Sequence, residues 1–405
     1  MFLLLMRILL LVVYYMPSTI SSAKLIHDLA VEFHRLGHEP IVVAPDENIL
    51  KETQVSYENG VKVLRIRTGK IKSTSKLIRA FNEIRLSKII WKRGKEFFNE
   101  NPCDLIVYYS PSIFFGLLVK KLKKKFACSS YLILRDIFPQ WAVDSGILRR
   151  GLVYSYFKFK ERQNYEAADI IGVQSPANLR YFEENGLDKR YHLEVLYNWT
   201  SLAEEYVPRS TYRIHLGLQN KVIFFYGGNI GVAQDIDNII RLAENLRNES
   251  SAYILLVGEG SEVNRLKSKI KLKGLTNIAI HDPVDQHEYL SMLSEFDVGL
   301  ISLDRRLRTQ NFPGKILGYM YHAKPILASI NRGNDLKEIL EDKQAGLVCF
   351  NGEDEIFATH ARSLIADANL RRRLGSNARA LLENTFSVSK AAGQILAHFN
   401  TLNLT

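Results

Sequence analysis

LISLDRRLRTQNFPGKILGYMYHAKPILA (Leu300–Ala328) is the stretch whose reading decides the fold. One apolar run, Phe296–Leu300, leads into it, and a second, Pro325–Ala328, closes it. Between them lie Arg305, Arg306 and Arg308, a polar turn at Thr309–Asn311, and the pair Pro313-Gly314. From Lys315 onward Ile316, Leu317, Met320 and Tyr321 recur at helix-face spacing. A strand therefore ends, a loop crosses an edge, and a helix starts with a lysine in its first turn. In an open α/β sheet ligands bind in that crevice. Free N–H groups at a helix start favour an anion, and the lysine adds a full charge, so the stretch predicts a diphosphate site. The bland alternative is a simple helix cap.

The same strand–helix alternation extends outward in both directions. Toward the N-terminus it reads as strand Arg7–Tyr14, loop Met16–Ser22, helix Ala23–Leu36 stopped by Gly37, and strand Pro40–Ala44. Strand-like Val61–Arg65, a long basic helix over Lys72–Phe98, strand Leu105–Tyr109, helix Pro111–Lys125 and strand Tyr131–Leu134 follow. Helix Leu148–Ala167, strand Ile170–Val173, helix Pro176–Glu184 behind a Ser175 N-cap, and strand Leu193–Leu196 complete the half. Periodicity fails at Asn198–Pro208, which sets a domain boundary near residue 200. Alternation restarts at Lys221–Tyr226 and runs to a helical tail, Asp354–Asn400. Two α/β domains of similar size, each with a parallel sheet and a ligand-binding cleft between them, are the expectation.

With 405 residues and 46% hydrophobic content, the chain can build two cores. Its three cysteines, Cys103, Cys128 and Cys349, fit no ligand spacing and point to a reducing compartment. Residues 1–200 hold 30 of the 54 Lys+Arg but only 20 of the 43 Asp+Glu, so ten of the eleven net positive charges lie there. The excess concentrates at Lys62–Lys125, including KKLKKK at Lys120–Lys125. The helix Lys72–Phe98 interleaves Leu77, Phe81, Ile84, Leu86, Ile89, Ile90, Phe97 and Phe98 with basic residues, as an anionic partner surface would require; a solvated face is the alternative. No nucleic-acid-binding module or aromatic stacking platform is present, so no nucleic-acid partner is expected. The opening MFLLLMRILLLVVYYMP resembles a signal peptide. Its arginine is mid-run, however, no small-residue cleavage site follows, and it is too short to span a bilayer. A buried first strand is expected instead, with Met6 as a candidate start.

Four motifs carry chemistry. Tyr226-Gly227-Gly228-Asn229-Ile230-Gly231 follows the strand that opens the second domain, and Val257-Gly258-Glu259-Gly260 follows the next. Each is a tight turn or a loop that lets backbone approach phosphate, and the two should lie side by side. Asn311-Phe312-Pro313-Gly314-Lys315 is the third. The fourth, Arg135-Asp136-Ile137-Phe138-Pro139-Gln140-Trp141, ends a strand of the first domain. There Asp136 either orients and deprotonates a hydroxyl or caps a helix. Asp235-Ile236-Asp237 looks like a metal-binding pair, but at a helix start residues two apart diverge, so capping is expected. The ten histidines form no metal spacing; His27, His34 and His38 read as packing residues, and no metal site is expected.

Taken in order, GHEPIVVAP, LRDIFPQW, LYNW, FYGGNIG, YILLVGEG, FDVGLISL and FPGKILGYMYHAKPILAS make the chain resemble a bacterial GT-B glycosyltransferase of family 4. DIFPQWAVDSGIL and TQNFPGK make it similar, more narrowly, to the N-acetyl-L-fucosamine transferases of O-antigen and capsule assembly. The resemblance implies two Rossmann-like domains: 1–200 for the acceptor and 201–386 for the nucleotide-sugar donor, with 387–405 crossing back to the first. It implies no metal or cofactor. Carried over, Gly228 and Asn229 would approach the diphosphate, and Gly258 and Glu259 the nucleotide. Pro283 and Val284 would face the base. Gln310, Asn311, Gly314, Lys315, Ile316 and Leu317 would line the donor site. Ser21, Ser22 and Arg135 would meet the acceptor, and Asp136 and Lys315 would be the catalytic pair. The family's paired glutamates fall at Gln310 and Gly318, and its arginine–lysine pair at Asn229 and Gln234, all uncharged here. Lys315 and Arg305–Arg308 are the available compensation.

The implied activity is transfer of N-acetyl-L-fucosamine from its UDP donor to a polyprenyl-diphosphate-linked saccharide at the cytoplasmic face of the membrane. There the basic helix would meet anionic lipid. A nucleotide-sugar 2-epimerase and a non-catalytic nucleotide-sugar-binding partner of a membrane assembly complex are the alternatives.

Overall fold

A computed structural model of the chain describes residues 5–18, 20–69, 76–110, 112–144, 146–202, 211–307 and 312–399; the side chains of 76–82, 286 and 287 are also outside that description. It forms two units, Met1–Ser201 with Val388–Thr405, and Leu202–Ser387.

The first unit runs β1 (Arg7–Leu11), α1 (Ser21–Arg35), β2 (Glu39–Asp46), β3 (Thr53–Glu58), β4 (Val61–Arg67), α2 (Lys76–Glu100), β5 (Leu105–Tyr109), α3 (Gly116–Phe126) and β6 (Ser129–Leu134). It continues through α4 (Gln140–Asp144), α5 (Leu152–Tyr165), β7 (Ile170–Val173), α6 (Pro176–Glu184) and β8 (Leu193–Val195). The sheet order is β3-β4-β2-β1-β5-β6-β7-β8. The apolar opening of the chain is thus a central strand: β1 pairs in parallel with β2 and β5. Ile8 and Leu10 enter one core layer with Ile26, Leu29 and Phe33 of α1, while Leu9 and Leu11 enter the other with Leu86 and Ile90 of α2. Burial on both faces is why β1 reads as an unbroken apolar run.

Several boundaries differ from the sequence expectation. β3 is a strand the alternation did not predict, and it is antiparallel to β4, so this sheet is not wholly parallel. Asn59 and Gly60, at φ 51° and 81°, form the two-residue turn that joins them. α1 starts at Ser21, so Ser21 and Ser22 belong to its first turn rather than a loop. Ser175 stands at the N-cap of α6, yet its hydroxyl contacts Asn178 Oδ1 at 3.4 Å instead of capping the backbone. On α2, Leu86, Ile90 and Phe98 are buried, so these apolar residues serve the core and not a partner surface; the Leu77 and Phe81 side chains lie outside the described residues.

The second unit runs α7 (Tyr212–His215), β9 (Val222–Gly227), α8 (Ile236–Asn245), β10 (Ala252–Val257), α9 (Val263–Leu272), β11 (Ile278–His281), α10 (Gln286–Glu295) and β12 (Val298–Ser302). It ends with α11 (Lys315–Tyr321), β13 (Ile326–Ile330), α12 (Leu336–Asp342), β14 (Gly346–Phe350), α13 (Asp354–Ala366) and α14 (Ala368–Leu381). The order β11-β10-β9-β12-β13-β14 is parallel at every pairing. The chain winds one way from β9 to β11 and the other way from β12 to β14, so the topological switch point lies between β9 and β12. Neither aspartate of Asp235-Ile236-Asp237 caps α8. Asp235, at φ 40°, accepts from Asn351 Nδ2 at 2.8 Å, and Asp237 pairs with Arg265 and Lys269, both at 2.5 Å.

A final helix, α15 (Val388–Ala397), belongs to the first unit. It sinks Val388, Ala391, Ala392, Ile395 and Leu396 into the layer that holds α1. Gln394 Nε2 donates to Val195 O at 2.8 Å, and Val388 N to Thr200 O at 3.0 Å.

Candidate active site

In the second unit, the loop after β9 and the start of α11 meet at the switch point. Lys315 is the first residue of α11. Its ammonium lies 3.4 Å from the Tyr226 ring centroid, a close cation–π contact. A Cβ built on Gly228 would stand 3.9 Å from the same Nζ. Among the described residues Lys315 makes no ion pair or side-chain hydrogen bond. Desolvation without a counter-charge pushes its pKa down to about 7. Tyr319 fixes the helix: its hydroxyl donates to Leu300 O at 3.2 Å and accepts from Gly227 N at 3.3 Å. Tyr319, which the helix-face reading passed over for Tyr321, is the fully buried one of the two. The two tyrosines are two positions apart and so face opposite sides of the helix, and a stripe through Ile316, Tyr319 and Met320 fits the period as well as one through Leu317, Met320 and Tyr321.

The two glycine loops do lie side by side. Gly228 N donates to Val257 O at 2.9 Å, Ile230 N to Glu259 O at 2.7 Å, and Gly258 N to His281 O at 3.2 Å. A Cβ on Gly258 would fall 1.9 Å from Gly228 O, and one on Gly260 2.2 Å from Ile230 O. These two glycines therefore serve loop-on-loop packing, and Glu259 stands exposed beside them. The expected row of free N–H groups is correspondingly shorter. Gly227, Gly228 and Ile230 already donate, as does Gly231 to Gln234 Oε1 at 3.2 Å, leaving Asn229 N in that loop. Ile316 N and Leu317 N likewise turn back to Pro313 O and Gly314 O, at 3.1 and 3.2 Å. Gly314 N and Lys315 N have no such partner among the described residues.

Asn229 and Gln234, standing where a basic pair was implied, bind each other instead: Nδ2 to Oε1, 2.9 Å. A Cβ built on Gly318 would stand 3.3 Å from Leu293 Cδ1, so any side chain at this position would require that leucine to shift. Pro283 and Val284 follow β11 at the same sheet end, and Asp285 beside them caps α10 through Glu288 N at 2.8 Å. Gln310, Asn311 and Arg308 lie outside the described residues. Arg306 is bound to Asp304, at 2.5 Å, and with Arg305 lines a separate recess of about 370 Å³ shared with Asp235, Arg241 and Asn351. Of the arginine cluster, Arg306 is thus already neutralised.

In the first unit Arg135 and Asp136 follow β6. Arg135 stacks on Trp199 at 5.4 Å and donates to Tyr197 O at 3.3 Å, contacts that hold its side chain in place. Asp136 is exposed, makes no described hydrogen bond, and lies four residues before α4. Capping is therefore not its role. Although its side chain is accessible, the protein crowded around it partly desolvates the carboxyl and raises its pKa, and the Arg135 guanidinium opposes the rise. No motif foretold a recess of about 280 Å³ at the ends of β1, β2 and β4, lined by Tyr14, Tyr15, Ser18, Asp46, Asn48 and Arg65. Arg65 is held there by Glu58 at 2.8 Å and by the carbonyl of Met16. Ser21 and Ser22 follow that loop on α1.

Two Rossmann-like units with parallel strand ends and glycine-rich turns define a class: the fold is that of the GT-B glycosyltransferases. Residues 209–381, which make up most of the second unit, match the family model "Glycosyl transferases group 1". The chain is 25% identical over 260 residues to a probable glycosyltransferase, WbjE, of Pseudomonas aeruginosa, covering 63% of this chain and 64% of that protein. It is 23% identical to a putative colanic acid biosynthesis glycosyl transferase, WcaI, of Escherichia coli K12, over 62% and 63% of the two. The chain thus spans about two thirds of these relatives. Among solved structures, HepE from Anabaena in complex with UDP superposes with a TM-score of 0.69 at 16% identity, covering 98% of this chain and 100% of that one.

Proposed function

We propose that the chain transfers a sugar from a UDP donor to a polyprenyl-diphosphate-linked saccharide, with N-acetyl-L-fucosamine as the sugar and O-antigen or capsule assembly as the setting. The observation that carries the donor half is the unpaired Lys315 ammonium at the switch point, facing Gly228 across the Tyr226 ring. In transfer, the bond from the anomeric carbon to the β-phosphate oxygen breaks and UDP leaves with the electron pair. The acceptor oxygen bonds to that carbon, and its proton goes to a base. Lys315, with the N–H groups of Asn229, Gly314 and Lys315, stabilises the developing diphosphate charge. Asp136 receives the proton or orients the hydroxyl; a carboxylate with a raised pKa suits that task. The capture of UDP by the Anabaena protein and the colanic-acid role in the name of the Escherichia coli relative support these choices. Acceptor chemistry places the protein at the cytoplasmic face of the membrane.

The test is incubation with a panel of UDP-sugars and synthetic lipid-diphosphate-GlcNAc, read by mass spectrometry. The expected product is the acceptor plus one N-acetylated deoxyhexose. A new UDP-sugar with no acceptor consumed would mean an epimerase. UDP-sugar binding with no product on any acceptor would mean a non-catalytic partner, a reading favoured only by the uncharged Asn229–Gln234 pair.

A further inference from the structure

The outer face of α5 is apolar where a solvated helix would be polar. Leu152 is 92% exposed, Val153 58% and Phe159 54%, and Tyr156 and Ile147 are exposed beside them. At 100° per residue Phe159, Leu152, Tyr156 and Val153 occupy one contiguous arc. Glu161 and Tyr165 on the opposite side, and Asn164 next to Val153 around the helix, are buried. The helix therefore already has its core face, and the exposed apolar arc is a second one.

The charges at the N-terminal end of that arc are all of one sign, and the acidic residue just past its C-terminal end, Glu166, is held by Lys120, Arg162 and Arg190. Arg149 and Arg150 lead into it, exposed and without an ion pair among the described residues. Lys160 lies at its edge, its ammonium 5.7 Å from the Tyr156 ring centre and 5.4 Å from that of Phe159. No acidic residue occurs between Asp144 and Glu161, and Glu161 is buried on the far face, paired with Lys158. No helix among the described residues is long and apolar enough to cross a membrane. Apolar and aromatic side chains bordered by unpaired cations match the boundary between headgroups and acyl chains of an anionic bilayer.

We propose that α5 with the preceding Ile147–Arg150 segment is the membrane-docking surface: Leu152, Tyr156 and Phe159 insert at the acyl boundary while Arg149, Arg150 and Lys160 bind anionic headgroups. This deepens the lipid-linked-acceptor reading and rests on it for its purpose, but its test needs neither donor nor acceptor. The full chain is floated with vesicles of phosphatidylethanolamine, with or without phosphatidylglycerol. Flotation is expected only with phosphatidylglycerol and is weakened by salt. Tyr156→Ser combined with Phe159→Ser should lower partition about tenfold or more, and Arg149→Gln with Arg150→Gln about tenfold or more. Leu152→Glu, at a side chain too exposed to affect the core, should act in the same direction without changing the melting temperature. Unchanged flotation of these variants overturns the proposal. So does a dimer in sedimentation velocity that the aromatic variant dissolves while vesicle binding persists, because the arc would then join two copies. UDP titration of the same samples separates the two ideas: failure to float with intact UDP binding removes only the docking surface, and flotation without UDP binding removes only the transferase reading.

Discussion

Lys315 has given up hydration without gaining a counter-ion among the described residues, an arrangement that costs stability until an anion arrives. Its folded pKa of about 7 lies below the unfolded value of about 10.4. The folding penalty therefore grows as pH falls from about 10.4 toward 7, and is complete below that. Lys315→Ala should abolish transfer while leaving the melting temperature unchanged or slightly raised, as checked by calorimetric scanning. UDP binding works in the opposite sense, since the diphosphate favours the ammonium. Affinity should weaken about tenfold per pH unit above 7 in the wild type and stay flat in the alanine variant; a titration series from pH 6 to 9 reads this. Gly258 makes a different kind of claim. At φ 154°, with a Cβ 1.9 Å from a backbone carbonyl, Gly258→Ala should cost about 3 kcal/mol or more in urea unfolding. The Lys315 position was legible in the sequence because Pro-Gly-Lys before an apolar helix pattern is a local signal. The Asn229–Gln234 bond was not, because side chains five apart in a loop carry no period.

At the scale of elements, periodicity located nearly every strand and helix but could not say which way an apolar face points. α2 and α5 both interleave aromatic and basic residues. On α2, Leu86 and Ile90 point into the core, whereas on α5 Leu152 and Phe159 point out. The difference arises from neighbours distant in sequence: α2 packs over the layer built by β4 and β5, while α5 uses Asn164 and Tyr165 for burial instead. The β3–β4 hairpin was readable from Asn59-Gly60, the residue pair that best suits a two-residue turn, but a search for strand–helix alternation passes over hairpins. The placement of α11 depends on one hydroxyl. Tyr319→Phe removes the bonds to Leu300 and Gly227 and leaves a buried N–H unpaired. The expected cost is about 1–2 kcal/mol in stability, together with a several-fold loss of UDP affinity, since Lys315 rides on that helix. Chemical unfolding and calorimetry check the two halves.

The molecule as a whole is two units with mainly parallel sheets, which were legible because a doubly covered strand must be apolar throughout. What sequence could not foresee is how the last helix earns its place. Val388, Ala391 and Ile395 are core residues of the first unit although nearly two hundred residues separate them from it. Truncation after Ser387 should therefore destabilise the first unit selectively: the described core of the second unit is untouched, and a two-step unfolding trace should lose its first-unit step.

The central claim is that the desolvated Lys315 ammonium in the second unit grips the diphosphate. Calorimetric titration of UDP and of uridine into the wild type and Lys315→Ala tests it most directly. The account predicts that UDP affinity falls about tenfold to hundredfold in the variant, as expected for a lost charged hydrogen bond, while uridine binding is unchanged. Equal UDP affinity in the two proteins, or an equal loss for uridine, would contradict it.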